Sequence, residues 1–208
     1  KGGFLKVGEK REGWLRKSFF AVNDAIEQHA TDTNNRKLRT QGCTGVILYI
    51  NTNTWRCDVA NVGDSRAIIS KKGKAIRLSY DHKPAGIEEE NRVVGLGGFV
   101  VADSKAVPGR LMGTLGVSRA IGDYFVHPFV SCDPYIASYQ ISKDDEFMII
   151  GCDGVFDEVE DQECVDLVAE TIKKHGKNAH LCAQKVRDLA YSLGSDDNIS
   201  AIVIFFKD

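Results

Sequence analysis

No apolar run in this sequence approaches the roughly 18 residues needed to cross a bilayer; the longest lie near Val46–Ile50 and Phe147–Gly151. The opening residues, Lys1-Gly2-Gly3-Phe4, contain no apolar signal core. Charge of one sign is also lacking. The 27 Lys and Arg against 29 Asp and Glu leave a net charge of −2, so nothing draws the whole chain toward nucleic acid or an anionic membrane. Proline is scarce, at four residues, and no repeat or low-complexity segment is visible. The six cysteines, Cys43, Cys57, Cys132, Cys152, Cys164 and Cys182, are widely spaced and form no Cys-x-x-Cys pair. That spacing argues against a zinc cluster, and several of the cysteines sit inside apolar runs. The expectation is reduced, buried thiols in a cytoplasmic protein, with the nucleus as the other compartment.

What is present is the material of one domain. Of 208 residues, 43% are apolar, enough for a core that needs no covalent staples. Leu15, Phe19, Val22 and Ile26 recur at spacings of three and four and predict a helix from Gly13 to about Thr31. Short strands are expected at Thr44–Ile50, Trp55–Val62, Ala67–Ser70 and Ala75–Leu78, with Lys71-Lys72-Gly73-Lys74 as a hairpin turn. A short helix is expected near Ile87–Val94 within an irregular middle section. The C-terminal part reads as a strand at Glu146–Gly151 and then two helices, marked by Cys164, Val168 and Ile172 and by Cys182, Val186, Leu189 and Leu193. The last strand, Ile199–Phe206, is so apolar that burial on both faces is expected. Strands in the middle with consecutive helices outside fit a layered α+β sandwich.

Three acidic turns stand at the ends of apolar strands: Gly63-Asp64-Ser65-Arg66, Cys152-Asp153-Gly154-Val155-Phe156-Asp157 and Gly194-Ser195-Asp196-Asp197-Asn198. Any one alone reads as a plain turn, and Asp64 alone as half of a surface ion pair with Arg66. Together they read as a candidate site. A carboxylate at the lip of a buried strand needs a cation, donors or solvent, and oxygen ligands without His or Cys select Mg²⁺ or Mn²⁺. Asp153 and Asp157 lie four apart, so a helical turn starting at Gly154 would point them the same way.

Seven segments stand in order along the chain: Gly42-Cys43-Thr44-Gly45, Val59 to Arg66, Asp81-His82-Lys83-Pro84, Leu115 to Asp123, Asp145-Glu146-Phe147, Asp153 to Asp157 and Ser195 to Ser200. In that order they resemble the type 2C family of metal-dependent protein serine/threonine phosphatases. The resemblance implies a four-layer α-β-β-α sandwich of two antiparallel sheets flanked by helices. It also implies a dinuclear Mg²⁺ or Mn²⁺ site, with metal-bound water attacking phosphoserine or phosphothreonine. Asp153 and Asp197 match the ligands of the core metal pair, and act in catalysis through the water those metals hold. Asp64 and Asp157, with Asp153, match the group around a third metal, and Asp196 is a turn residue. The region of about 82–134, with Gly86 to about Gly113 as its mobile part, matches a flap beside the cleft. Among Arg92, Arg110 and Arg119, Arg119 is the best candidate to meet phosphate. Cys152 is not a nucleophile, because no donor run closed by Arg follows it.

The departure from the family is at the front. Its phosphate-binding arginine strand and its Asp-Gly-His-Gly-Gly segment occur nowhere in these 208 residues. The expectation is therefore an N-terminally truncated domain spanning 1–208, with a phosphoprotein substrate and neither nucleic acid nor membrane as partner. The alternative is a catalytically impaired module that binds a partner, or forms a homodimer by edge pairing or strand exchange through exposed sheet edges.

Overall fold

A computed structural model describes residues 2–101 and 109–206. The chain runs β1 (Gly3–Leu5), α1 (Glu9–Asp32), β2 (Gly42–Cys43), β3 (Gly45–Asn51), β4 (Arg56–Val62), β5 (Arg66–Lys71), β6 (Lys74–Arg77), α2 (Ile87–Gly95), β7 (Val100–Val101) and β8 (Arg110–Leu111). It continues through β9 (Ile121–Gly122), β10 (Tyr135–Gln140), β11 (Asp145–Gly151), α3 (Asp153–Phe156), α4 (Asp161–His175), α5 (Ala179–Ser192) and β12 (Ala201–Phe205). Two sheets, ordered β1-β10-β4-β3 and β12-β11-β5-β6, pair antiparallel throughout.

Alternation builds the layers. Cys57, Val59 and Tyr139 of the first sheet meet Ala67, Ile69 and Met148 of the second, and all are buried. On the outer face of the second sheet, Ile68, Phe147, Ile149 and Val203 pack on Cys164, Val165, Val168, Cys182, Val186 and Ala190 of α4 and α5. On the outer face of the first, Ala60 and Val62 receive Leu15 and Phe19 of α1. The order helix, sheet, sheet, helices is the expected α+β sandwich. All six cysteines are free thiols, and Cys43, against expectation, is exposed. Among the described residues no helix is long and apolar enough to cross a membrane.

Two local readings are corrected. Helix α1 starts earlier than Gly13, and Val22 is 50% exposed. Its place on the inner face belongs to Asn23, whose Oδ1 accepts the Gly122 N–H at 3.0 Å and whose carbonyl accepts the Tyr124 hydroxyl. A hydrogen-bonded amide, not a hydrophobe, joins α1 to β9, and apolar periodicity cannot see it. The second correction is β12. It is an edge strand, and Ile202 is 56% exposed. Val203 and Phe205 pack toward the helices while Ile204 and Phe206 face the inter-sheet core, so the run is apolar on both faces without being covered throughout.

Between β6 and β10 the chain leaves the sandwich. Val93, Leu111, Ala120, Val126 and Val130 form a separate apolar cluster that seats α2. The anticipated flap lies here, and its residues 102–108 fall outside the described ones.

Candidate active site

The strand register gathers the acidic turns. In the second sheet Gly151 of β11 faces Arg66 of β5 on one side and Ala201 of β12 on the other. The turn before Arg66, the turn after Gly151 and the turn before Ala201 therefore leave the same end of one sheet. Those turns carry Asp64, Asp153 with Asp157, and Asp197. Asp64 is 4% exposed at the foot of the cluster, whereas Asp157 and Asp197 are exposed at its rim.

Short hydrogen bonds lock the last two turns together. The Ser195 hydroxyl donates to the Gly154 carbonyl at 2.7 Å. Cys152 Sγ donates to the Asn198 carbonyl at 3.0 Å and accepts from the Ser200 N–H at 3.2 Å. Cys152 thus ties one turn to the other. A Cβ built on Gly154 would stand 3.4 Å from the Asp197 Cβ and 2.6 Å from the Asn198 carbonyl oxygen, so the absence of a side chain there lets Asp197 approach. Asp153 Oδ1 accepts the Gly154 N–H at 2.9 Å, and Asp197 Oδ1 accepts the Asn198 N–H at 2.6 Å. The Oδ2 atom of each carries no hydrogen bond among the described residues. The Asp157 N–H donates to the Asp153 carbonyl at 2.8 Å, closing the helical turn that the four-residue spacing requires.

Lys83 is the residue that sequence reasoning missed. Its Nζ lies 2.6 Å from Asp64 Oδ2 and 3.2 Å from Asp157 Oδ1. Burial raises the Asp64 pKa and Lys83 opposes this, while the neighbouring carboxylates Asp153 and Asp157 add to the rise. Lys83 loses water too, but Asp64 and Asp157 outweigh that and hold its proton more firmly than usual. Its signal was available: Lys83 lies in the Asp81-His82-Lys83-Pro84 motif. Arg66 does not pair with Asp64. It is 7% exposed, binds Asp81 and Asp161, and stacks 4.6 Å over the Phe156 ring.

Two of the three arginines weighed as phosphate candidates, Arg119 and Arg92, are engaged elsewhere. Arg119 donates to Glu89 Oε1 and to the Asp133 carbonyl, and Arg92 donates to Glu89 Oε2 and to the Phe129 and Ser118 carbonyls. Both brace α2. A buried Glu89 had no marker in the sequence, since it stands between Glu88 and Glu90 in an acidic first turn. Arg110 is exposed on β8, with its guanidinium over Gly116.

The donor set suits a hard divalent cation, being carboxylate oxygen throughout. Asp153 and Asp197 each offer one oxygen from turns that Ser195–Gly154 and Cys152–Asn198 tie together, and water or further groups would complete the shell. Among the described residues, no three His, Cys, Asp or Glu side chains stand close enough to form a metal cluster. At Asp64 and Asp157 an ammonium takes the place a cation would occupy.

Comparison with known proteins agrees with this architecture. The family model "Protein phosphatase 2C" matches residues 4–199. Human protein phosphatase 1F is 35% identical over 197 residues, covering 95% of this chain and 41% of its own. Protein phosphatase 2C homolog 1 of Schizosaccharomyces pombe is 34% identical over 193 residues, covering 88% of this chain and 52% of its own. A solved Caenorhabditis elegans sex determining protein superposes with a TM-score of 0.81 at 23% identity, over 94% of this chain and 47% of that one. The Toxoplasma gondii serine-threonine phosphatase 2C gives 0.78 at 19%, over 94% of this chain and 67% of that one, and these two likenesses speak for the fold. Sandwich, motifs and family model define one class, and the chain belongs to the protein phosphatase 2C family. It spans about half the length of the curated relatives it matches, or less.

Proposed function

We propose that this chain carries the metal-binding residues of a serine/threonine phosphatase whose hydrolysis of phosphoproteins depends on Mg²⁺ or Mn²⁺. The observation that carries the reading is that the turns bearing Asp153 and Asp197 are hydrogen-bonded to each other at one end of the sheet, each carboxylate having one oxygen anchored to a backbone N–H and one left for a ligand. A divalent cation, when bound, supplies an activated water and charge neutralisation for the phosphoryl group. The chain's own residues do the rest. Asp153 and Asp197 hold the cation, Asp64 and Asp157 add negative charge beside it, and Lys83 balances that charge. The expected compartment is the cytoplasm or nucleus.

The test is hydrolysis of p-nitrophenyl phosphate and of a phosphothreonine peptide with Mn²⁺. Turnover abolished by EDTA and by Asp153→Asn supports the reading, and turnover indifferent to both removes it. A second reading, an impaired module acting through a partner or as a dimer, is favoured by Lys83 filling the gap between Asp64 and Asp157. It predicts no turnover with any divalent cation.

A further inference from the structure

Helix α2 and the acidic cluster are joined by a line of hydrogen bonds through buried residues. Its outer hub is Glu89, 1% exposed. Glu89 Oε1 accepts from Arg119 Nε at 3.0 Å, while Oε2 accepts from Arg92 Nη2 at 2.9 Å and from the Ser118 hydroxyl at 2.6 Å. The same hydroxyl lies 3.0 Å from the His82 carbonyl, but the carboxylate is the stronger acceptor for its single proton. The fully buried Ser118 then brings its backbone N–H to the His82 carbonyl at 2.9 Å.

His82 passes the constraint on. Its N–H donates to the Gly63 carbonyl at 3.0 Å, and its Nδ1 lies 3.0 Å from the same oxygen. Gly63 has only oxygen to offer, so Nδ1 carries the proton. Asn61 ties the two segments again, accepting the Tyr80 N–H at 3.1 Å and donating to the Tyr80 carbonyl at 2.6 Å. Asp64 follows Gly63 directly and Lys83 follows His82 directly. The two partners of the 2.6 Å ion pair are thus the next residues beyond the two ends of the His82–Gly63 link.

We infer that Glu89, Ser118 and His82 are positioning residues that transmit the placement of α2 to the Asp64–Lys83–Asp157 group. A phosphopeptide or regulator that shifts α2 then alters how firmly Lys83 neutralises Asp64 and Asp157. The coupling itself is a property of the chain without metal; only its consequence for catalysis rests on the phosphatase reading.

The experiment is the proton–nitrogen spectrum of the lysine ammonium groups in metal-free protein, with the Lys83 peak identified by its loss in Lys83→Met. Ser118→Ala keeps the backbone bond to His82 and removes the pin to Glu89. It is expected to shift the Lys83 peak or broaden it away, as is Glu89→Gln. His82→Ala should do the same, and His82→Asn should restore the peak, because its amide nitrogen reaches where Nδ1 does. Ile141→Ala, which loosens the inter-sheet core beside Trp55 at the opposite end of β10 from Asn61, touches neither α2 nor the line and should leave the peak in place. A Lys83 peak unmoved by Ser118→Ala overturns the inference. So does an equal shift in Ile141→Ala, since general loosening of the core would then explain the effect. If Glu89→Gln does not fold, Ser118→Ala and the His82 pair decide the matter. Adding Mn²⁺ to the same wild-type sample keeps the two readings apart. Signals of Asp153 and Asp197 unchanged by Mn²⁺ count against the phosphatase reading and leave the coupling to stand on the metal-free spectra.

Discussion

At the scale of single residues, Gly154 shows how propensity and contact can oppose one another. It lies in the helical turn α3, where replacing Gly by Ala ordinarily stabilises by about 0.5–1 kcal/mol. Here the added methyl would meet the Asn198 carbonyl oxygen at 2.6 Å, and that oxygen is backbone held by Cys152. Overpacking of this kind costs about 1–3 kcal/mol, so the contact wins. Gly154→Ala is expected to lower the denaturant midpoint and to weaken Mn²⁺ binding by separating Asp197 from Asp153. Calorimetric titration with Mn²⁺ and a urea melt check the two effects. Lys83 gives the opposite expectation. Lys83→Met leaves Asp64 and Asp157 without their shared cation, so the variant should take up a divalent ion more tightly at that point. Calorimetry would show an added binding event or a lower dissociation constant; unchanged titration curves would mean that Lys83 does not compete with metal.

At the scale of elements, α2 depends on one carboxylate more than on its own sequence. Burial works against the charge of Glu89, but hydrogen bonds from Arg119, Ser118 and Arg92 prevail and hold its pKa down to about 2, against an ordinary value of 4.5. A depressed carboxylate stabilises the fold fully above 4.5, and that contribution is lost as pH falls from 4.5 toward about 2. The shift corresponds to something on the order of 3 kcal/mol. Wild type should therefore lose stability steeply in that acid window, and Glu89→Gln should show a shallower slope there. Near neutral pH the variant should be less stable by about 3–5 kcal/mol, since Arg92 and Arg119 are left facing a neutral group. Thermal melts of both proteins from pH 7 down to 2.5 (about the lower end of the transition) decide this. Parallel curves would show that Glu89 does not titrate as a buried ion pair does. This hub also marks where the sequence stops being legible. The helix at Ile87–Val94 follows from its pattern, but Glu88, Glu89 and Glu90 read as equivalent first-turn acids. Only the fold, by bringing Ser118 and Arg119 to α2, singles out the middle one. Arg119 stands out as a phosphate candidate for the same reason: a motif preserves a residue's position in the chain and not its partner.

At the scale of the whole molecule, the layered sandwich was readable because period-two strands and period-3.6 helices carry their own buried faces. The convergence of the turns bearing Asp64, Asp153 and Asp197 was readable because each stands at an end of an apolar strand. Asn23 and Glu89 were not, because a buried polar group is set by its partner across the fold; Lys83 stood in a motif, but its pairing with Asp64 and Asp157 was not readable there. The same distinction governs the sheet edges. The apolar run at β12 looked like a buried strand, yet β12 and β3 are the outer strands of their sheets, with Ile202, Ile47 and Tyr49 each 45–56% exposed. Edge strands with exposed hydrophobes are templates for pairing. If the chain associates through the β12 edge, sedimentation should show a mass that rises with concentration. Ile202→Lys, which places a charge where an approaching strand would lie, should return the monomer while leaving the melting temperature nearly unchanged, since Ile202 contributes little buried area. A monomer at every concentration in the wild type would remove self-pairing as a role for that edge. Association that survives Ile202→Lys would move the contact to β3, where Ile47 and Tyr49 are the residues to replace next.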